Sequence, residues 1–91
     1  MDPRENITHI IIKNIAEIFG LEPEYVAAHP ELRFREDLHA KSLQYFPLIG
    51  VLEIELDIEL DYHEFQYEAR TIQHTIDFVN KIYEENHHDN N

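Results

Sequence analysis

A chain of ninety-one residues, 43% of them hydrophobic, has interior enough for one modest core and no second. The absence of cysteine excludes disulfides, thiolate metal sites and cysteine nucleophiles. Nineteen acids against seven bases give a formal charge of −12, which repels nucleic acid and anionic lipid and favours basic protein surfaces, and which also serves simply to keep a small domain soluble. The first residues lack a basic segment followed by an apolar run, and no apolar stretch is long enough to cross a bilayer, so the expectation is a soluble cytoplasmic protein.

Ile7, Ile10, Ile11, Ile15, Ile18 and Phe19 recur at steps of three and four, which predicts a helix with Thr8, Lys13, Asn14 and Glu17 largely on its outer face. Gly20 is its expected stop. From Leu21 to Ala40, Pro23 and Pro30 interrupt a segment without sustained period, read as a long loop pinned by Leu21, Val26, Leu32 and Phe34; loops of that length are usually functional. Leu52 to Leu60 alternates apolar and acidic residues as a half-buried strand would. Yet Tyr45, Leu48, Ile49, Leu52 and Leu56 fit a helical stripe equally well, and no second alternating run exists to pair with a strand. The reading is helix to about Leu56, then a turn.

His63 to Glu68 forms one short helical turn in this reading. Thr71 is the N-cap of a last helix in which Ile72, Ile76, Val79 and Tyr83 share a face. The whole chain, 1–91, is thus one all-α domain with its core at about 7–83 and a polar, frayed tail at 84–91. Neither a heptad seam nor a self-pairing strand is present, so a monomer is expected.

The segment Asp37-Leu38-His39-Ala40-Lys41-Ser42-Leu43 places a serine at the start of the middle helix, after the long loop. A serine there is commonly an N-cap. Glu36-Asp37-Leu38 and Ser42-Leu43, followed without gaps by Leu48, Leu52-Glu53 and Leu56-Asp57-Ile58-Glu59, together with Thr71 to Val79, resemble the pattern of acyl carrier proteins over roughly Ile7 to Tyr83. The resemblance implies a four-helix bundle of three long helices, one short helix and a long first loop. It also implies a 4'-phosphopantetheine arm, taken from coenzyme A by a phosphopantetheinyl transferase and joined to Ser42 as a phosphodiester, whose thiol holds acyl groups as thioesters for fatty acid or specialised lipid or polyketide-type synthesis. A helix N-terminus suits a diester because its free amides and dipole favour an anion. The partner-recognition positions it implies are Asp37, Leu38, Lys41, Leu43, Gln44, Tyr45 and Glu53, facing acyl-loading and acyl-processing enzymes with basic patches.

The departures from that pattern cluster around the serine. His39 replaces a glycine, Lys41 an aspartate, Gln44 an acid, Pro47 a glutamate, Gly50 a larger apolar residue and Ile54 an acid. If Ser42 is the N-cap, Pro47 removes a bond to the carbonyl of Leu43 and kinks the first turns; alternatively the helix begins at Pro47. Gly50 costs about 1 kcal/mol relative to alanine in a helix, which close approach of a partner or cargo would justify. Tyr45 and Phe46 are either an aromatic surface patch or ordinary core, with Leu43, Phe46, Ile11, Ile15, Leu52, Ile72 and Ile76 as the expected apolar interior.

Seven histidines raise a metal site, but His87, His88 and Asp89 lie on the tail, and His9, His29, His39, His63 and His74 show no pair at four-residue spacing, so no metal is expected. His39 has no oxyanion motif near it, and the acids at Glu53, Glu55, Asp57 and Glu59 read as a solvated face, so no catalytic residues are assigned and the chain is not read as an enzyme. The competing function is an unmodified acidic interaction module of the same fold; a further variant is carriage of aminoacyl or peptidyl groups on the same serine.

Overall fold

The computed structural model describes residues 3–87, in five helices: α1 (Pro3–Phe19), α2 (Pro23–Ala28), α3 (Ser42–Leu56), α4 (Tyr62–Glu68) and α5 (Ile72–Asn86). Three long helices and the short α4 form the expected all-helical bundle, with no strand among the described residues. The isoleucine stripe of α1 is buried at Ile7, Ile11 and Ile15 and packs on α3 and α5, while α4 bridges α3 and α5. Gly20 ends α1 with φ +68°, a backbone that a residue bearing Cβ adopts only at a cost.

Asn14, expected on the outer face of α1, is buried. It turns inward because α3 offers it a partner: its Nδ2 donates to the Ile10 carbonyl (2.8 Å) and to Oε2 of Glu55 (3.2 Å), and Lys13 pairs with the other oxygen of that carboxylate (3.5 Å). An unpaired amide at that depth would cost about 1–3 kcal/mol.

The long loop contains a helix the periodicity did not reveal. Pro23 sets φ at the start of α2, and six residues carrying one buried side chain, Val26, are too few to display a helical stripe. Beyond it the chain is stitched to the α4–α5 junction by Phe34 N–H to Arg70 O (2.9 Å), Ile72 N–H to Leu32 O (3.0 Å) and Gln73 N–H to Pro30 O (2.9 Å). Val26 and Phe34 are fully buried, and Leu21 and Leu32 pack against the core, so these four side chains pin the loop as expected.

The conflict at residues 52–60 resolves by change of element. Leu52 and Leu56 lie one turn apart in α3; Asp57 then takes φ +54° as the C-cap, and Ile58 and Leu60 are buried from the non-helical segment that follows. Helix and irregular chain in succession thus bury what looked like a single strand. Thr71 is the N-cap of α5, its Oγ1 accepting from His74 N–H (3.0 Å), and Ile72, Ile76 and Val79 are buried with Tyr83 half-buried.

The last helix reaches Asn86, three residues into the segment read as a frayed tail. Its end is held because Asn86 Oδ1 accepts from Glu59 N–H (3.3 Å) and His87 Nε2 lies 3.0 and 2.8 Å from the carbonyls of Leu56 and Asp57, where a ring N–H satisfies the open end of α3. His88 and Asp89, raised as ligands, lie outside the described residues.

Helix α3 runs from Ser42 through Pro47 rather than starting at the proline. A Cβ built on Gly50 meets nothing within 4 Å, so no close approach within the chain explains this glycine. Gly50→Ala is therefore expected to stabilise the protein by about 0.5–1 kcal/mol, read as a raised urea midpoint.

Candidate functional site

Ser42 is the first residue of α3 and not its cap. The N-cap is Lys41, in extended backbone (φ −102°, ψ 155°). Gln44 closes the turn by accepting from Lys41 N–H through Oε1 (2.8 Å) and donating its own N–H to Lys41 O (2.9 Å). An ammonium has no lone pair to offer the first-turn amides, so only this reverse half of a capping box forms. The Ser42 side chain is exposed, and its hydroxyl makes no hydrogen bond among the described residues. The N-cap explanation of this serine therefore fails: the hydroxyl stands free at the positive end of a fifteen-residue helix.

The turn that delivers Ser42 is tied by hydrogen bonds. Asp37 Oδ2 accepts from Arg33 N–H (2.8 Å) and Arg33 Nε (3.2 Å), and Ala40 N–H donates to Phe34 O (2.8 Å). The Arg33 amide, then its guanidinium, hold the Asp37 carboxyl below the ordinary aspartate value of 3.8. A lowered folded pKa means that whatever order this pair gives the turn is present above the ordinary value and lost as pH falls through the lowered one. A carboxyl-carbon NMR titration is expected to place the Asp37 midpoint below 3.8, and Arg33→Gln to move it upward.

His39 takes φ +57°, in the left-handed region where the resembling pattern has glycine. The imidazole is exposed, so the strain is in the backbone alone. His39→Gly is expected to be neutral to stabilising by about 1 kcal/mol in thermal unfolding, since it relieves the left-handed penalty while adding chain entropy.

The structure decides between surface and core for the two aromatics beside the serine and reverses the expectation for Phe46. Tyr45, placed among the recognition residues, is 2% exposed, between Phe34 (ring centroids 6.1 Å) and Phe65 (6.2 Å); such a side chain presents no docking surface. Burial pushes its phenol above the usual tyrosine range, opposed by the Arg35 guanidinium. Phe46, expected inside, is 54% exposed and stacks on Tyr62 at 4.3 Å, and Leu43, also expected inside, is 76% exposed. The reason is the helix phase. Tyr45, Leu48, Ile49 and Leu52 take the inward face, which leaves Leu43, Phe46, Pro47 and Ile54 outward.

Glu53, expected among the recognition residues, has its Oε2 accepting from Leu60 N–H (2.8 Å), which holds the segment after α3. Leu38 is half-buried, and Lys41, Leu43 and the outer edge of Gln44 surround Ser42. Tyr62, which no local pattern marked, completes the site: its hydroxyl donates to Ser42 O (3.3 Å) while its ring carries Phe46. Only tertiary proximity of α4 to the start of α3 could have revealed it.

No protein-family model matches this chain. Among curated proteins, the acyl carrier protein of Thermosynechococcus vestitus (strain NIES-2133 / IAM M-273 / BP-1) is 38% identical over 66 residues, which span 72% of this chain and 78% of that protein. An all-helical bundle that frees a serine hydroxyl at a helix start, together with identity at that level over most of both chains, shows that this chain belongs to the acyl carrier protein family, whose members are carriers and not enzymes.

Proposed function

We propose that Ser42 bears a 4'-phosphopantetheine arm and that the protein carries acyl intermediates for fatty acid or specialised lipid or polyketide-type synthesis. The family generally carries this group, and the observation that supports its placement here is the free, exposed Ser42 hydroxyl at the N-terminus of α3. When bound, the arm supplies a terminal thiol that holds acyl groups as thioesters. The residues present fit it. The hydroxyl is unencumbered, the opening amides of α3 face an anion favourably, and the Lys41 ammonium adds positive charge beside the diester.

The surface around Ser42 also bears on the partners. Leu43 and Ile54 are the most exposed large apolar side chains of the described chain, and with Phe46 they lie on the outer face of α3. Glu53 and Glu55 are turned to Leu60 and to Lys13 and Asn14. Modifying and acyl-processing enzymes thus meet an apolar face edged by Lys41, with the exposed acids Asp57, Glu59 and Asp61 beyond the far end of α3 available to basic patches. That surface supports a dedicated pathway with matched enzymes.

Intact mass spectrometry after incubation with coenzyme A, magnesium and phosphopantetheinyl transferases tests the proposal. Addition of one phosphopantetheine to the wild type and none to Ser42→Ala is expected. No addition from any transferase, those of the source organism included, would move the function to an unmodified interaction module.

A further inference from the structure

In a chain of net charge −12, three of the seven basic side chains line one recess. Arg33, Arg35 and Arg70 face a space of about 730 Å³ between the loop before α3, α4 and the start of α5, joined by His63 and His74, with Glu36 the single carboxylate in its wall. Arg33 is paired with Asp37. Arg35 and Arg70 have no carboxylate within ion-pair distance among the described residues; instead each guanidinium lies over a tyrosine ring, Arg35 on Tyr45 (5.5 Å) and Arg70 on Tyr67 (5.4 Å).

Stacking occupies the face of a guanidinium and leaves the N–H donors along its edge for a planar anion, which arginine binds in bidentate fashion. The volume suits a small ligand rather than a protein segment. Location supplies the source of that ligand. Tyr45, in the wall, is three residues and about 4.5 Å of helix rise beyond Ser42. His63, also in the wall, follows Tyr62, whose hydroxyl reaches the Ser42 carbonyl. A group tethered at Ser42 meets a site on these neighbouring elements at an effective concentration on the order of millimolar, far above that of a sparse free ligand.

We propose that this recess binds a second, distal carboxylate on the acyl cargo, so that the protein prefers to shelter dicarboxylic over monocarboxylic acyl groups. The proposal rests on Ser42 carrying the arm.

The test compares wild-type protein loaded at Ser42 with a glutaryl thioester and with a pentanoyl thioester, a chain of equal length without the second carboxylate. The readout is the arginine Nε–Hε and histidine ring resonances. Shifts at Arg35, Arg70, His63 and His74 with glutaryl, absent with pentanoyl, are expected, with the His63 and His74 shifts lost in an Arg35→Gln, Arg70→Gln variant. Because the first comparison uses wild type only, a variant that fails to fold leaves the outcome readable. Identical recess resonances for the two cargoes would overturn the proposal while leaving the carrier reading intact. Absence of any mass gain at Ser42 would remove both. In a parallel titration of unloaded protein, submillimolar binding of free glutarate or inorganic phosphate at these arginines, without a response to tethered glutaryl, would make this a free-anion site and overturn the assignment to cargo.

Discussion

Phe34→Ala is expected to cost about 3–5 kcal/mol of folding free energy, and Phe46→Ala no more than about 1.5 kcal/mol, in urea denaturation of the two variants under the same conditions. The chemical change is the same and both rings lie within one loop and one turn of Ser42, but their surroundings differ. Phe34 is fully buried between Phe19 (5.7 Å) and Tyr45 (6.1 Å), in an aromatic chain that starts at Phe19 and continues through Tyr45 and Phe65 to Phe78. Its backbone also accepts from Ala40 and donates to Arg70, so the cavity would open in the segment that fixes the entry to α3. Phe46 has one stacking partner, Tyr62, and open solvent on its other side. For a small domain with total stability of about 5–15 kcal/mol, the first loss is a large fraction of the whole and the second is not. Equal costs for the two would contradict the inward and outward assignments of α3.

Ser42→Ala is expected to abolish covalent loading while changing stability by less than about 0.5 kcal/mol. These two results belong together because they separate the functions a serine can have at a helix start. An N-cap hydroxyl satisfies a first-turn amide, and its loss costs about 1 kcal/mol. Here the turn is closed by Gln44 and the serine hydroxyl bonds to nothing described, so its removal takes away no interaction of the fold. A drop of 1 kcal/mol or more in Ser42→Ala would mean that the hydroxyl caps the helix in solution. Lys41→Ser should behave oppositely: it places an acceptor at the true N-cap and is expected to raise stability by up to about 1 kcal/mol, measured by the same denaturation.

The sequence by itself determined the all-helical class, the stop at Gly20, the end of the middle helix near Leu56 and the N-cap at Thr71. Each depends on periodicity or on backbone preferences that act within a few residues. It also singled out Ser42, through local spacing and the run of matching positions on both sides. The stripe of Tyr45, Leu48, Ile49, Leu52 and Leu56 offered Tyr45 to the core. Tertiary structure alone decided that Phe46 beside it stays outside, because that depends on where α4 and the Phe34 loop pack. It likewise turned Asn14 inward, because the partner carboxylate of Glu55 is forty-one residues away. The same holds for the arginine recess: Arg70 is separated in sequence from Arg33 and Arg35 by the whole of α3 and α4, and the three meet only because the loop is stitched to the α4–α5 junction. Local forces choose elements, whereas burial and charge pairing between distant segments choose the faces those elements show.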